Sequence, residues 1–171
     1  EIINCAENIK TPSVTVYLHP KYRASSELDK IIQTALAYTT LQTVTSAVEV
    51  FYDPDPSSTV IPEDRDFVDA FFAIPDEEVE ASLERQSPWL LRLVLDRAQM
   101  LDKNLTMAEV ASKIGAMFGK DIFVTHSEDN AEELVLRIRI VDNDPDKEVQ
   151  GEEDVFLKSL AQHMLTDIAL K

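Results

Sequence analysis

The sequence predicts an α+β fold: a split β-α-β-β-α sheet domain preceded by a small helix-strand-helix segment. Three observations predict it. Trp89, Leu91, Leu93 and Leu95 alternate with mixed residues, as do Leu134, Leu136, Ile138 and Ile140, the period of a strand with one buried face. Between them Met107, Val110, Ala111, Ile114, Met117 and Phe118 recur at helical spacing. Leu157, Leu160, Ala161, Met164 and Ile168 repeat that spacing after the second strand pair, which places helices on one face of a split βαβ sheet.

In chain order, Glu1–Ile9 reads as helical and stops before Lys10-Thr11-Pro12, because the residue before proline avoids the helical region. Val14–Leu18 is β-branched and aromatic and reads as a strand closed by Pro20. Ser26 with Asp29 three residues on marks a helix start, after which Leu28, Ile31, Ile32, Ala35 and Leu36 share a face. Val44–Tyr52 reads as a strand, ended by the turn formers Asp53-Pro54-Asp55-Pro56. Phe67–Ile74 fits either a strand or a helix, and Glu77–Arg85 reads as a short helix. Thr106 and Glu109 form a capping box, and Ile122–Thr125 is a short strand. In this arrangement the strand from Trp89 is internal, flanked by Leu134–Ile140. Ile122–Thr125 then lies at one edge of the sheet and Glu49–Asp53 at the other.

The 171 residues include 16 Lys+Arg and 32 Asp+Glu, a net charge of −16. Residues 1–45 carry four of each sign, so the whole acidic excess follows, and a domain boundary is expected near Tyr38–Leu41. An acidic chain has no electrostatic footprint for phosphate backbones, which disfavours independent tight nucleic-acid binding. The three glycines, Gly115, Gly119 and Gly151, are not clustered, against a phosphate-cradling loop. The single Cys5 excludes an internal disulfide framework and a cysteine-based zinc site. No apolar run is long enough to span a membrane as a helix. The start, Glu1-Ile2-Ile3, lacks a signal-peptide pattern and an initiator methionine, as expected of a piece of something longer.

Constellations that carry chemistry are few. Asp142-Asn143-Asp144-Pro145-Asp146 with Glu153 spaces its acids like a calcium loop. Lys147 stands where the turn needs glycine and a strand precedes it, so a solvated acidic loop is expected. His19, His126 and His163 lack metal-ligand spacing. Asn104-Leu105-Thr106 is a glycosylation sequon that coincides with a helix cap, and Cys5 has no basic neighbour to activate it. Arg92, Arg137 and Arg139 alternate with the apolar positions of two strands and share the other sheet face, either as a solvated or ion-paired face or as a patch for acidic partners. Trp89 reads as core. No nucleophile–base pair or paired carboxylates stand out, so residues and spacing alone describe an acidic, non-enzymatic interaction domain.

Several strings carry a resemblance to a known family. They are Lys10-Thr11-Pro12-Ser13-Val14-Thr15-Val16-Tyr17-Leu18, Tyr38-Thr39-Thr40-Leu41, and Tyr52-Asp53-Pro54-Asp55-Pro56 through Ser58-Thr59-Val60-Ile61. With them stand Ser87-Pro88-Trp89-Leu90-Leu91-Arg92, Leu105-Thr106-Met107, and Glu128-Asp129-Asn130 running into Leu136-Arg137-Ile138-Arg139. In order, they resemble the largest subunit of eukaryotic RNA polymerase II over essentially the whole chain. The resemblance implies the end of the trigger-loop helix and a cleft segment over residues 1–38, and a jaw-like module over 39–171. It implies a nuclear, DNA-directed RNA polymerase, a nucleotidyltransferase, whose magnesium-holding aspartates, zinc-binding cysteines and catalytic histidine lie outside this stretch. No cofactor is therefore expected in the stretch itself. The implied partners are the lobe of the second-largest subunit, a small zinc-ribbon subunit and the transcript-cleavage elongation factor, with downstream DNA met only in the assembled enzyme. The family pattern is weak over 143–153, and no contact is carried over there.

The candidate partner-binding residues are Ile122, Phe123, Val124 and Thr125, as an edge strand that could accept another chain, together with Arg92, Arg137 and Arg139. The competing expectation is a free-standing acidic regulatory or adaptor domain that binds a small molecule or peptide and buries Ile2, Ile3 and Ile9 itself. The charge argument is tested by duplex-DNA anisotropy on the isolated chain. Binding at about 150 mM salt is expected to be negligible, and a Kd below about 1 μM would overturn the argument, since non-specific binders typically show about 10⁻⁴–10⁻⁶ M.

Overall fold

The computed structural model describes residues 13–20, 26–74, 77–142 and 153–171, and separates the chain into two compact units, Glu1–Ala35 and Leu36–Lys171. The expected helix over Glu1–Ile9, with Ile2, Ile3, Ile9 and Cys5, lies outside the described residues. So does the acidic run between Asp142 and Glu153.

In the first unit the expected strand Val14–Leu18 does not form. The segment has no regular structure and its side chains are largely exposed, Val14 at 88% and Tyr17 at 82%. β-branched residues fit a pleated, half-buried surface rather than create one, and none of the sheet's strands pairs with this run. Helix α1, Ser26–Leu36, forms as the spacing predicts, but none of its residues is buried.

The second unit contains a four-stranded antiparallel sheet. Its strands are β1 (Thr45–Tyr52), β2 (Trp89–Leu95), β3 (Ile122–His126) and β4 (Leu134–Ile140), in the order β1-β2-β4-β3. As expected from the split pattern, β2 and β4 are internal and β1 and β3 lie outermost. The register opposes Leu91 to Ile138 and Leu93 to Leu136, so the alternating apolar residues of the two central strands meet on one face. That face carries the main helix layer: α2 (Leu41–Val44), α5 (Arg97–Asp102), α6 (Met107–Phe118) and α7 (Glu153–Asp167). Leu41, Val44, Met100, Met107, Val110, Ile114, Leu157, Ala161 and Met164 are buried from these helices against the strand leucines and isoleucines. Burying each large side chain is worth about 1.5–3 kcal/mol.

Local chemistry ends the elements where the sequence says it should. The Thr106 hydroxyl accepts from the Glu109 N–H, and the Glu109 carboxylate accepts from the Thr106 N–H. At the other end Gly119 has φ +60° and its N–H reaches the Gly115 carbonyl. The one-turn helix α5 is absent from the sequence reading. Asp96 starts it by accepting from the Ala98 and Gln99 N–H groups. The ambiguous run 67–74 resolves as helix through Phe72, in α3 (Arg65–Phe72), with Ala73 and Ile74 beyond its end, and α4 covers Glu77–Leu83.

Chain closure fixes the two ends of this unit to each other. Thr39 donates to the Lys171 carbonyl, Leu41 donates to that of Ile168, and Leu170 donates back to Thr39. Lys171 Nζ also bonds the carbonyls of Lys103 and Asn104, the orphan acceptors after α5.

The fold differs from expectation on the second sheet face. Helices were expected on one face only. The other face is covered by the segment from Asp53 to Phe72, which includes a 3-10 turn at Pro62–Asp64 and α3. The burial of β2 shows it, since Leu90 and Arg92 on this face are buried, as Leu91 and Leu93 are on the other. The capping box gives the simplest test of the fold. Thr106→Ala is expected to lower stability by about 1 kcal/mol in urea titration with the slope unchanged.

Candidate functional site

β2 and β4 put arginines where a central strand normally puts apolar side chains. Arg92 and Arg137 are cross-strand partners, and Arg139 lies two residues further along the same face of β4. All three are buried, with 6%, 3% and 3% of their surface exposed. A buried guanidinium must be paired and hydrogen-bonded, and the covering segment supplies the partners. Asp53, the first residue after β1, accepts from Arg137 Nη2 at 2.7 Å and from Arg139 Nη2 at 2.9 Å, both on Oδ2. Its Oδ1 takes the Val60 N–H at 3.2 Å.

Asp64, at the end of the 3-10 turn, takes Arg92 in a fork. Nε lies 3.1 Å from each carboxylate oxygen and Nη2 lies 2.9 Å from Oδ1. Its Oδ2 also accepts from Arg137 Nη1 at 3.0 Å. Thr59 Oγ1 fills the remaining reach of Arg137 Nη1, and the carbonyls of Asp53 and Ser87 take Arg139 Nη1. Glu49 and Glu133 close the outer end against Arg92 at 2.9 and 3.1 Å, with partly exposed side chains.

The charges are arranged so that burial is compensated. Burial lowers the pKa of Arg92, but the bonds to Asp64, Glu49 and Glu133 outweigh it and the net shift is upward. At Arg139 burial dominates, reinforced by the neighbouring Arg137, and the pKa falls to about 10 despite Asp53. Arg139 remains protonated at neutral pH.

Of the two expectations for these arginines, the ion-paired face is the one found. As a patch for acidic partners Arg92, Arg137 and Arg139 are corrected: Asp53, Asp64 and Thr59 already occupy their donors under a closed cover. Sequence reading missed those three partners. Asp53 was legible only as a turn former, and Asp64 follows Pro62-Glu63 with no periodic signal. The usable signal was the arginines themselves, since three cations on one face of two apolar strands demand counter-charges.

The other candidates, Ile122, Phe123, Val124 and Thr125, lie in β3 at the sheet's edge. The backbone bonds just outside the strand fix which way its groups point. Val141 donates to the Asp121 carbonyl at one end and Ser127 donates to the Val135 carbonyl at the other. In an antiparallel ladder bonded residues alternate, so Phe123 and Thr125 pair with β4. The N–H and C=O of Ile122, Val124 and His126 point away from the sheet. Side chains divide in the opposite sense. Ile122 and Val124 pack into the helix-side core, while Phe123 sits on the arginine face against Phe71, with ring centroids 6.0 Å apart. The same alternation on β1, anchored by Asp53 donating to the Pro88 carbonyl, turns Val48, Val50 and Tyr52 outward.

The remaining expectations are placed as follows. Trp89 is half-buried at the core margin, edge-on to Tyr52 at 5.3 Å. His126 Nδ1 lies 2.8 Å from the Ser127 carbonyl, and His163 lies beside Asp167 on α7. Among the described residues no three His, Cys, Asp or Glu side chains are grouped to hold a metal ion, and no helix is long and apolar enough to cross a membrane. The buried carboxylates Asp53 and Asp64 are committed to arginines.

The cluster makes a sharp prediction. Asp64→Ala leaves Arg92 and Arg137 short of a buried counter-charge and is expected to cost about 3–5 kcal/mol by urea unfolding. Glu133→Ala, at the exposed rim, is expected to cost less than about 1 kcal/mol. Equal losses from the two variants would contradict this account of the cluster.

The family model described as RNA polymerase Rpb1, domain 7 matches residues 39–171, which hold the whole sheet, its helix layer and the arginine–aspartate cover. The chain therefore belongs to the RNA polymerase Rpb1 domain 7 family, a structural module of the largest subunit of DNA-directed RNA polymerase, which assembles with other polymerase subunits.

Proposed function

We propose that residues 39–171 are the jaw-like module of the largest subunit of RNA polymerase II, a non-catalytic docking platform beside the downstream DNA entry. Residues 1–38 are then the end of the trigger-loop helix and a cleft segment. The family membership supports the subunit, and the strings quoted from the sequence support the polymerase II class and with it a nuclear location. Catalysis, magnesium and zinc belong on this reading to other parts of the subunit. With a net charge of −16, the module suits protein contacts rather than phosphate contacts, and it meets DNA only within the assembled enzyme. The partners on this reading are the lobe of the second-largest subunit, the small zinc-ribbon subunit and the transcript-cleavage elongation factor.

The single observation that carries the docking role is the outward-facing backbone of β3. An outer strand with groups unpaired by its own sheet can take a strand from another chain. We place the zinc-ribbon subunit there, read by main-chain bonds to Ile122 and Val124 rather than by the buried arginines. Because the Val124 N–H points away from β4, proline at this position removes a docking donor while leaving the β3–β4 ladder bonds in place.

The test is a pull-down of the zinc-ribbon subunit with Val124→Pro and Val124→Thr, each checked for folding by circular dichroism. Association is expected to be lost in the proline variant and nearly unchanged in the threonine one. Val50→Pro is the matched control on β1. A folded Val124→Pro domain that still associates would move the docking edge elsewhere, and to β1 if Val50→Pro abolishes association.

A further inference from the structure

α3 and α4 enclose an apolar groove of about 360 Å³, lined by Phe71, Phe72, Ile74, Val79 and Leu83, with Ser57 and Glu80 as its polar residues. We propose that this groove docks a basic amphipathic segment of a protein partner, seated by apolar anchors at helical spacing and by Lys or Arg against Glu80 in its lining. The proposal goes beyond the strand-addition reading, because it concerns side chains on the cover segment and not the backbone of β3.

Three observations point to that occupant. Ile74 is 75% exposed and Phe71 38%, beside the half-buried Phe72, Val79 and Leu83, so the helices offer anchors that they do not cover themselves. The lining has two polar residues and no converging set of donors and acceptors, which is what a small polar ligand would need to be oriented. Glu80 is the one charged residue in the groove's lining. Around it, the exposed ionisable residues described along the two helices are Arg65, Asp66, Asp69, Glu77 and Glu80, four acids against one base, and all but Glu80 lie outside the lining. An acidic or neutral segment would gain the apolar contacts and meet repulsion or indifference at Glu80. A basic one gains both terms, in the manner of a helix laid into a groove.

The test uses the whole 171-residue chain and a fluorescein-labelled synthetic helical peptide with Leu at i, i+3, i+4 and i+7 and Lys on the flanks. Saturable binding that weakens with salt is expected. Ile74→Ser and Glu80→Lys are each expected to raise its Kd at least about tenfold, or about 1.4 kcal/mol. Leu101→Ser, a change at an equally exposed leucine on α5, is expected to leave it unaltered. A peptide with the same composition and scrambled leucines, and one with Glu for Lys, are expected not to saturate. The proposal is overturned if the scrambled peptide binds as well, if Ile74→Ser binds like the parent chain, or if sedimentation shows the groove closed by a second copy. Failure of this binding would leave the β3 docking test untouched, since Val124 lies outside the groove.

Discussion

Three arginines in the middle of a sheet set the terms for everything built on its second face. Arg92, Arg137 and Arg139 cannot stay dry and unpaired, so the segment after β1 has to return across the sheet and deliver Asp53 and Asp64 to them. The cover is thus positioned by charge pairing as much as by apolar packing. Ile61 and Val68 supply its hydrophobic contacts, and the two aspartates fix where it lands. Each aspartate accepts from two arginines: Asp53 takes Arg137 and Arg139 of β4, and Asp64 joins Arg92 of β2 to Arg137 of β4.

Such a cluster contributes more to uniqueness than to net stability. Desolvating five charges offsets much of what their attraction returns, whereas removing one partner leaves a buried charge uncompensated. A cover seated by apolar contacts alone could slide along the strands. One pinned by forked bonds from Arg92 to Asp64 has a single register. Phe71 is thereby held against Phe123 of β3, and the groove with α4 opens at the cover's far end.

With helices on one face and the cover on the other, β2 and β4 are paired on both sides, and the main-chain groups that the sheet leaves unpaired are those of the outer strands. Polymerase subunits assemble by surfaces that must stay soluble before assembly and bind strongly after it. An acidic surface keeps such a domain dispersed, and outer strands with their groups turned outward provide directional sites. The docking sites proposed above lie at the sheet's edge and on its cover, away from the buried arginines.

The sequence by itself determined what depends on local periodicity and local chemistry. Alternation at 89–95 and 134–140, the helical stripe of 107–118 and the Thr106–Glu109 box each specify an element from neighbouring residues, and their order specified the strands at the centre and edges of the sheet. What depends on distant partners was decided by tertiary structure. Val14–Leu18 has strand propensity and no ladder to join. Residues 67–72 became helix because Val68 and Phe71 had a covered sheet face to pack on. The role of Arg92, Arg137 and Arg139 was open in the sequence for the same reason. An arginine on a strand is a binding group or a buried brace according to what lies over it. Asp53 and Asp64, distant in sequence from the arginines they pair with, carry no periodic mark of that role; only the folded chain brings those charges to within 3 Å.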